Sequence, residues 1–107
     1  METFGDVIAA ARKKLGLSQK DLAAKIRKED GGVISPQYLN DIEHNRRNPP
    51  SEFIIEQLAK VLKLSMDYLL FAAGTLPEDV RKHLFGAGPD QVTNAVRLFR
   101  EALKKKS

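Results

Sequence analysis

The sequence predicts an all-α chain, and three observations carry that expectation. Apolar residues recur at helical spacing along almost every segment, with no sustained alternation of apolar and polar positions. Serine or proline stands just ahead of most of these runs, where the unpaired amides of a first turn need a cap. Glycine, asparagine or proline closes them, so the punctuation comes at the interval of one helix.

Each element can be justified in order. Over 3–15, Phe4, Val7, Ile8, Ala11 and Leu15 share one face, and Gly16 stops the run. Ser18 caps a second helix, with Asp21 three residues on as an acidic echo of a capping box. Leu22, Ala23 and Ile26 are its inward face; it is expected to fray through 27–30 and to break at Gly31-Gly32. Ser35 and Pro36 open a third helix, whose buried ridge is Leu39 and Ile42. Asn45 suits a left-handed ending, and Asn48-Pro49-Pro50 forbids continuation. Ser51 caps a fourth helix, 51–63, with Ile54, Leu58, Val61 and Leu62 inward. Ser65 caps a fifth, 66–73, carrying Tyr68, Leu69 and Phe71 and ending at Gly74. A sixth spans 76–85 with Pro77 in its first turn. A seventh spans 90–105, where Val92, Val96, Phe99 and Leu103 repeat at steps of four, three and four.

Composition bounds the class. The 107 residues are 42% hydrophobic and 30% charged, as expected of a globular chain with a modest core. No stretch approaches the ~20 apolar residues of a membrane span, and no secretory signal opens the chain. With zero cysteines, disulfides and thiolate metal sites are excluded, and a cytoplasmic location is expected. The net charge of +4 is uneven: residues 1–74 carry +1 and residues 75–107 carry +3. Charge alone therefore argues weakly for a nucleic-acid partner, and position must carry the case.

The third segment is the informative one. It is short and sharply stopped at both ends, and its outer face is Gln37, Tyr38, Asn40, Asp41 and His44. Such a helix adds little to a core. It is suited to entering the major groove of DNA, where amides and carboxylates distinguish base edges. Arg46 and Arg47, just beyond its end, are placed to reach the phosphate backbone.

The stretch LGLSQKDLAAKI, followed by ISPQYLNDIEHNRRNPPSEFIIEQLAKVLKLSMDYLL, resembles the Cro/cI-like (XRE) helix-turn-helix of phage and bacterial repressors. The resemblance covers residues 4–73. It is specific because the LSQ opening, the small Ala23, YLNDIE, the arginines and LAKVLKLS-DYLL agree in order and spacing. It implies a λ-repressor-like domain of five helices over 1–74; the two further helices over 75–107 lie beyond it and rest on their own pattern. By resemblance, Ser18 and Gln19 lie at a phosphate and the third helix reads bases; Lys20, His44, Arg46 and Arg47 are further phosphate candidates. The reading positions fall on Pro36, Gln37 and Asp41, flanked by Tyr38, Asn40 and His44. Pro36 has no polar group to offer a base, so specificity is assigned to Gln37, for adenine, and Asp41, for cytosine. The resemblance also pairs Arg12 with Glu43, a structural lock on the reading helix. One departure stands out: relatives join the second and third helices tightly, whereas RKEDGGVI, 27–34, is several residues longer. Its Glu29 and Asp30 would repel phosphate, which favours solvent or a partner beside it.

No metal or cofactor is expected, since the two histidines, His44 and His83, lack neighbours at ligand spacing. No nucleophile elbow, P-loop or dinucleotide turn is present, and the chain is not read as an enzyme. The Val92, Val96, Phe99 and Leu103 stripe either packs onto the domain or pairs with its twin, and dimerisation is favoured. The terminal KKKS is expected to be disordered. The sequence thus predicts a sequence-specific regulator, most simply a repressor, binding double-stranded DNA as a homodimer on a near-palindromic operator. The alternative is a DNA-binding antitoxin or adaptor whose C-terminal helices hold a protein partner.

Overall fold

The computed structural model describes residues 2–105. Among them are seven helices: α1 (Phe4–Lys14), α2 (Gln19–Ala23), α3 (Pro36–Glu43), α4 (Glu52–Leu62), α5 (Met66–Ala72), α6 (Glu78–Phe85) and α7 (Pro89–Lys104). The only extended pairing among the described residues is a single antiparallel bridge, Arg27 to Val33. The chain divides into two compact units, Met1–Thr75 and Leu76–Ser107.

In the first unit α1 packs against α3, α4 and α5, while α2 packs on α3 and α4 on α5. Ile8, Leu22, Ile26, Leu39, Ile55, Leu58 and Leu69 are fully buried at the centre. Serine or threonine caps every helix of this unit: Thr3, Ser18, Ser35, Ser51 and Ser65 each accept the amide three residues on. Thr3 with Asp6 and Ser18 with Asp21 close full capping boxes, so two amides at each of these helix heads are satisfied reciprocally. Those bonds, backbone first, hold both carboxyl groups below their ordinary range. Two helix ends use left-handed residues other than glycine, Asn45 at φ 58° and Lys63 at φ 59°.

Several expectations need correction. Helix α2 ends at Ala23 and does not fray through 27–30. The Lys25 and Ile26 amides turn back to Leu22 and Ala23 as a tighter turn, and Gln57 holds the chain beyond it: its Oε1 accepts the Arg27 amide at 2.7 Å and its Nε2 donates to the Arg27 carbonyl at 2.8 Å. Both backbone groups of Arg27 are therefore taken from a helix ladder and held against α4. Leu15 is exposed because it lies past the last turn of α1, and Tyr68 and Phe71 of α5 are exposed while Leu69 and Leu70 are buried. The inward face of α5 is thus Leu69 and Leu70, with Met66, Ala72 and Ala73 partly buried against the core beside them.

In the second unit, α6 begins at Glu78, so Pro77 caps the helix from outside. Helix α7 starts with Pro89 at its first position, where a missing amide costs nothing. Of its apolar stripe Val92 is half-buried, while Val96 is exposed and Phe99 and Leu103 are 58% and 61% exposed. Arg97 donates to Glu101 at 2.9 Å and to Asn94 at 2.6 Å on the same helix. Lys106 and Ser107 of the terminal KKKS lie outside the described residues. No helix among those described is long and apolar enough to cross a membrane.

Candidate nucleic-acid interface

Helix α3 is positioned from below. Leu39 and Ile42 anchor it in the core with Tyr38 packed beside them, leaving Gln37 and His44 exposed and Asn40 and Asp41 half-buried. At its C-terminal end Glu43 is 6% exposed and faces Arg12 of α1, 8% exposed. Arg12 Nε donates to Glu43 Oε2 at 2.6 Å and Nη2 donates to Oε1 at 2.9 Å, a two-pronged ion pair. The third nitrogen, Nη1, donates to the Leu17 carbonyl at 2.8 Å, so the same side chain ties the α1–α2 turn to the end of α3. Hydrogen bonding to Glu43 raises the Arg12 pKa further, against the opposing effect of burial.

Two contacts near this pair could not be read from the sequence. Gly5 of α1 has its amide bonded to Asn45 Oδ1 at 3.2 Å, and Asn45 Nδ2 donates to Thr3 Oγ1 at 2.8 Å. A methyl group at Gly5 would stand 2.5 Å from the carbonyl oxygens of both Ile42 and Glu43. Glycine is needed there because α1 lies directly on the last turn of α3. The signal available in the sequence was only a glycine inside an apolar helical run.

Gln19 lies at the head of α2 beside this lock. Its Nε2 donates to Asn40 Oδ1 at 3.1 Å and to Glu43 Oε1 at 3.0 Å. Both amide hydrogens are thereby used, and only the first-turn backbone amide of Gln19 remains to meet a phosphate. Ser18 Oγ accepts from the Asp21 amide at 2.9 Å, which leaves its own hydroxyl hydrogen to donate. Lys20 is exposed beside it. His44 Nδ1 donates to the Asn40 carbonyl at 2.8 Å, since a carbonyl can only accept.

Past α3, left-handed Asn45 reverses the chain, and the Arg46 amide returns to the Asp41 carbonyl at 2.8 Å. Both arginines come back over the helix as a result. Arg46 Nη1 lies 3.8 Å from Asp41 Oδ1 and Arg47 Nε lies 3.6 Å from Asp41 Oδ2. The Arg47 guanidinium sits 5.2 Å from the centre of the Tyr38 ring. Gln37 Nε2 also donates to Asp41 Oδ1, at 3.0 Å. Asp41 is thus the meeting point of three side chains on the outer face. These exposed pairs are individually weak, and their effect is on geometry more than on stability.

The long α2–α3 connection is ordered. The Ile34 amide bonds the Ile26 carbonyl at 3.0 Å, and the Lys28 amide bonds the Gly32 carbonyl at 2.6 Å. Glu29 accepts from Ser51 Oγ at 3.1 Å, and Asp30 Oδ1 accepts the Gly32 amide at 3.0 Å. Its two acidic side chains are therefore engaged by the chain itself. Among the described residues no three His, Asp or Glu side chains gather closely enough to hold a metal ion.

Residues 8–69 match a protein-family model described as helix-turn-helix. Among solved structures, the chain is similar to SinR, the master regulator for biofilm formation, in complex with DNA. The two are 32% identical, with a TM-score of 0.53 over 64% of this chain and 98% of that one. It is also similar to a chain of the SinR–SinI protein complex, at 25% identity and a TM-score of 0.53, over 96% of this chain and 100% of that one. Comparison with curated proteins gives no match. The helix-turn-helix match covers more than half of the chain and coincides with the buried lock and exposed third helix described above. The chain belongs to the XRE-type helix-turn-helix family of DNA-binding transcription regulators.

Proposed function

We propose that this chain is a sequence-specific repressor that binds a near-palindromic operator as a homodimer in the cytoplasm. The observation that carries the reading is the division of α3: Leu39, Ile42 and Glu43 are buried, while Gln37 is exposed on the opposite face. Gln37, Tyr38 and Asn40 form the base-reading set, with Asp41 beside them holding Gln37. Ser18, Gln19, Lys20, His44, Arg46 and Arg47 surround it as phosphate contacts. A dimer built on Val92, Val96, Phe99 and Leu103 of α7 would set two copies of α3 one DNA turn apart, roughly 34 Å. Bound across a promoter, such a dimer represses by occlusion. Affinity then comes mainly from phosphates and falls steeply with salt.

The test is selection of duplexes from a random pool, with light scattering on the free and bound protein. A repeated motif with two-fold symmetry and the mass of two chains on one duplex are expected. A pool that stays random would remove the reading.

A second reading keeps DNA binding and gives α7 to a different protein, as in an antitoxin or adaptor. Two observations favour weighing it: the open Phe99 and Leu103, and the similarity to a chain of the SinR–SinI complex over nearly the full length. Under that reading the free chain scatters as a monomer, and Phe99→Asp abolishes capture of the partner while leaving α3 contacts intact.

A further inference from the structure

We propose that Asp41 is a positioning residue for base recognition: it fixes the amide of Gln37 in the one orientation that suits adenine. The inference rests on the reading of α3 as the base-reading helix. Gln37 donates its Nε2 to Asp41 Oδ1 at 3.0 Å, one helical turn away. An ionised carboxylate only accepts hydrogen bonds, so the amide end facing it must be the nitrogen. The two ends of a free amide are hard to tell apart and exchange readily; here the partner distinguishes them.

One amide hydrogen is taken by Asp41. The second hydrogen and Oε1 remain side by side on an exposed residue. Acceptor beside donor matches the N6 amino group and N7 of adenine, whereas guanine presents two acceptors, N7 and O6. A freely turning Gln37 could donate to guanine and would discriminate less between the purines.

Asp41 is itself held in place. Its side chain is 19% exposed, and its oxygens lie 3.8 Å from Arg46 Nη1 and 3.6 Å from Arg47 Nε. Both oxygens therefore face donors of the same chain, and two cations offset a negative charge that would otherwise repel DNA. Asp41 thus contributes to specificity through Gln37, while its charge is spent on the arginines.

The experiment has two parts on the full chain. Nitrogen-resolved NMR of the free protein reads the Gln37 side-chain amide. In the wild type its two protons are expected to be well separated, with one exchanging slowly. In Asp41→Ala they converge, and in Asp41→Asn, which keeps an acceptor oxygen, the separation partly survives. Binding is then measured to the selected duplex and to one with the Gln37-dependent adenine changed to guanine. The wild type is expected to favour adenine by about tenfold. Asp41→Ala narrows that ratio roughly threefold or more, and adds nothing to it in a Gln37→Ala background.

An unchanged ratio in Asp41→Ala overturns the proposal. So does a loss of preference at another base pair that persists without Gln37, which would make Asp41 a direct reader. Wild-type amide protons already resembling those of Asp41→Ala overturn it while leaving DNA binding untouched. A clear amide signature in a protein that selects no sequence overturns the reading of α3, and the adenine preference with it.

Discussion

Arg12 and Glu43 lie 31 positions apart and meet in a two-pronged ion pair that joins the last turn of α1 to the end of the reading helix. Both side chains are almost fully withdrawn from water, at 10% and 3% exposure. Removing one partner leaves the other charge buried and unpaired, which costs about 3–5 kcal/mol. That is a large share of the ~5–15 kcal/mol that holds a domain of this kind. Glu43→Ala and Arg12→Ala are each expected to lower the unfolding free energy, measured by urea titration, by that amount. The apolar pair Arg12→Met with Glu43→Leu is expected to recover most of it. Recovery of stability without recovery of DNA affinity would locate the value of the charges in the placement of α3.

Gly5→Ala tests how closely α1 lies on α3. Alanine is the better helix former by about 1 kcal/mol. Its methyl group, however, would stand 2.5 Å from two backbone oxygens, which belong to α3 and cannot rotate away. Overpacking of this kind costs about 1–3 kcal/mol or more. A net loss of roughly 2 kcal/mol is expected by thermal or urea unfolding, opposite in sign to the helix-propensity effect. A neutral result would mean that α1 and α3 separate more easily than their close approach suggests.

Much of the first unit was legible in the sequence because its signals are local. Ser18, Ser35, Ser51 and Ser65 each cap the helix that follows them, and Asn45 takes the left-handed turn its residue type favours. Leu39 and Ile42 are buried while Gln37 is exposed, as a two-sided helix requires. What could not be read depends on distant partners. The course of the chain past α2 is held by Gln57, 30 positions beyond Arg27. The need for glycine at position 5 is decided by carbonyls of α3. The three partners of Asp41 are brought together by a chain reversal at Asn45, and a pattern of residue types does not say which side chains that reversal will superpose. The resemblance paired Arg12 with Glu43, but periodicity alone gives no such pairing.

The two left-handed helix ends should respond oppositely to glycine. At Lys63, φ 59°, the helix is closed by the Leu64 amide returning to the Ala59 carbonyl at 2.9 Å, which needs no particular side chain. Lys63→Gly relieves the left-handed strain and is expected to stabilise by up to about 1 kcal/mol. At Asn45 the same change deletes both side-chain bonds, to the Gly5 amide and to Thr3 Oγ1. With each bond contributing about 1 kcal/mol, Asn45→Gly is expected to destabilise despite the easier backbone. Urea midpoints of the two variants, compared directly, check the contrast.

Asp6 and Asp21 give the fold an acid-sensitive component. Their folded pKa values lie below 3.8 because each carboxylate accepts backbone and side-chain hydrogen bonds from the capping residue, Thr3 or Ser18. The unfolded chain therefore binds protons first as pH falls. Their contribution is fully present above the ordinary carboxylate range, near pH 4, and is lost as pH drops through the lowered folded values. Stability measured between pH 5 and pH 2.5 is expected to decline for the wild type and to decline less for Asp21→Asn. An equal slope in both proteins would show that the α2 capping box does not contribute in acid.

Arg46 and Arg47 carry a prediction that follows from their hold on Asp41. Each is a candidate phosphate ligand, and removing one is expected to reduce the slope of log affinity against log salt by about 0.9 for each phosphate no longer neutralised. The two effects should not simply add. With one arginine gone the other still faces Asp41, at 3.8 or 3.6 Å. With both gone, the carboxylate stands beside the DNA without a counter-charge and adds repulsion to the two missing attractions. The double variant Arg46→Ala/Arg47→Ala is therefore expected to bind more weakly than the product of the single effects. Asp41→Asn in that background should recover the excess and no more, because the arginine–phosphate pairs stay absent. Titrations on specific and random duplexes at several salt concentrations separate the outcomes. The excess weakening should be similar on both duplexes, since repulsion by a bare carboxylate does not depend on base sequence, and its recovery by Asp41→Asn is read on the random duplex, where the orientation of Gln37 has no adenine to meet.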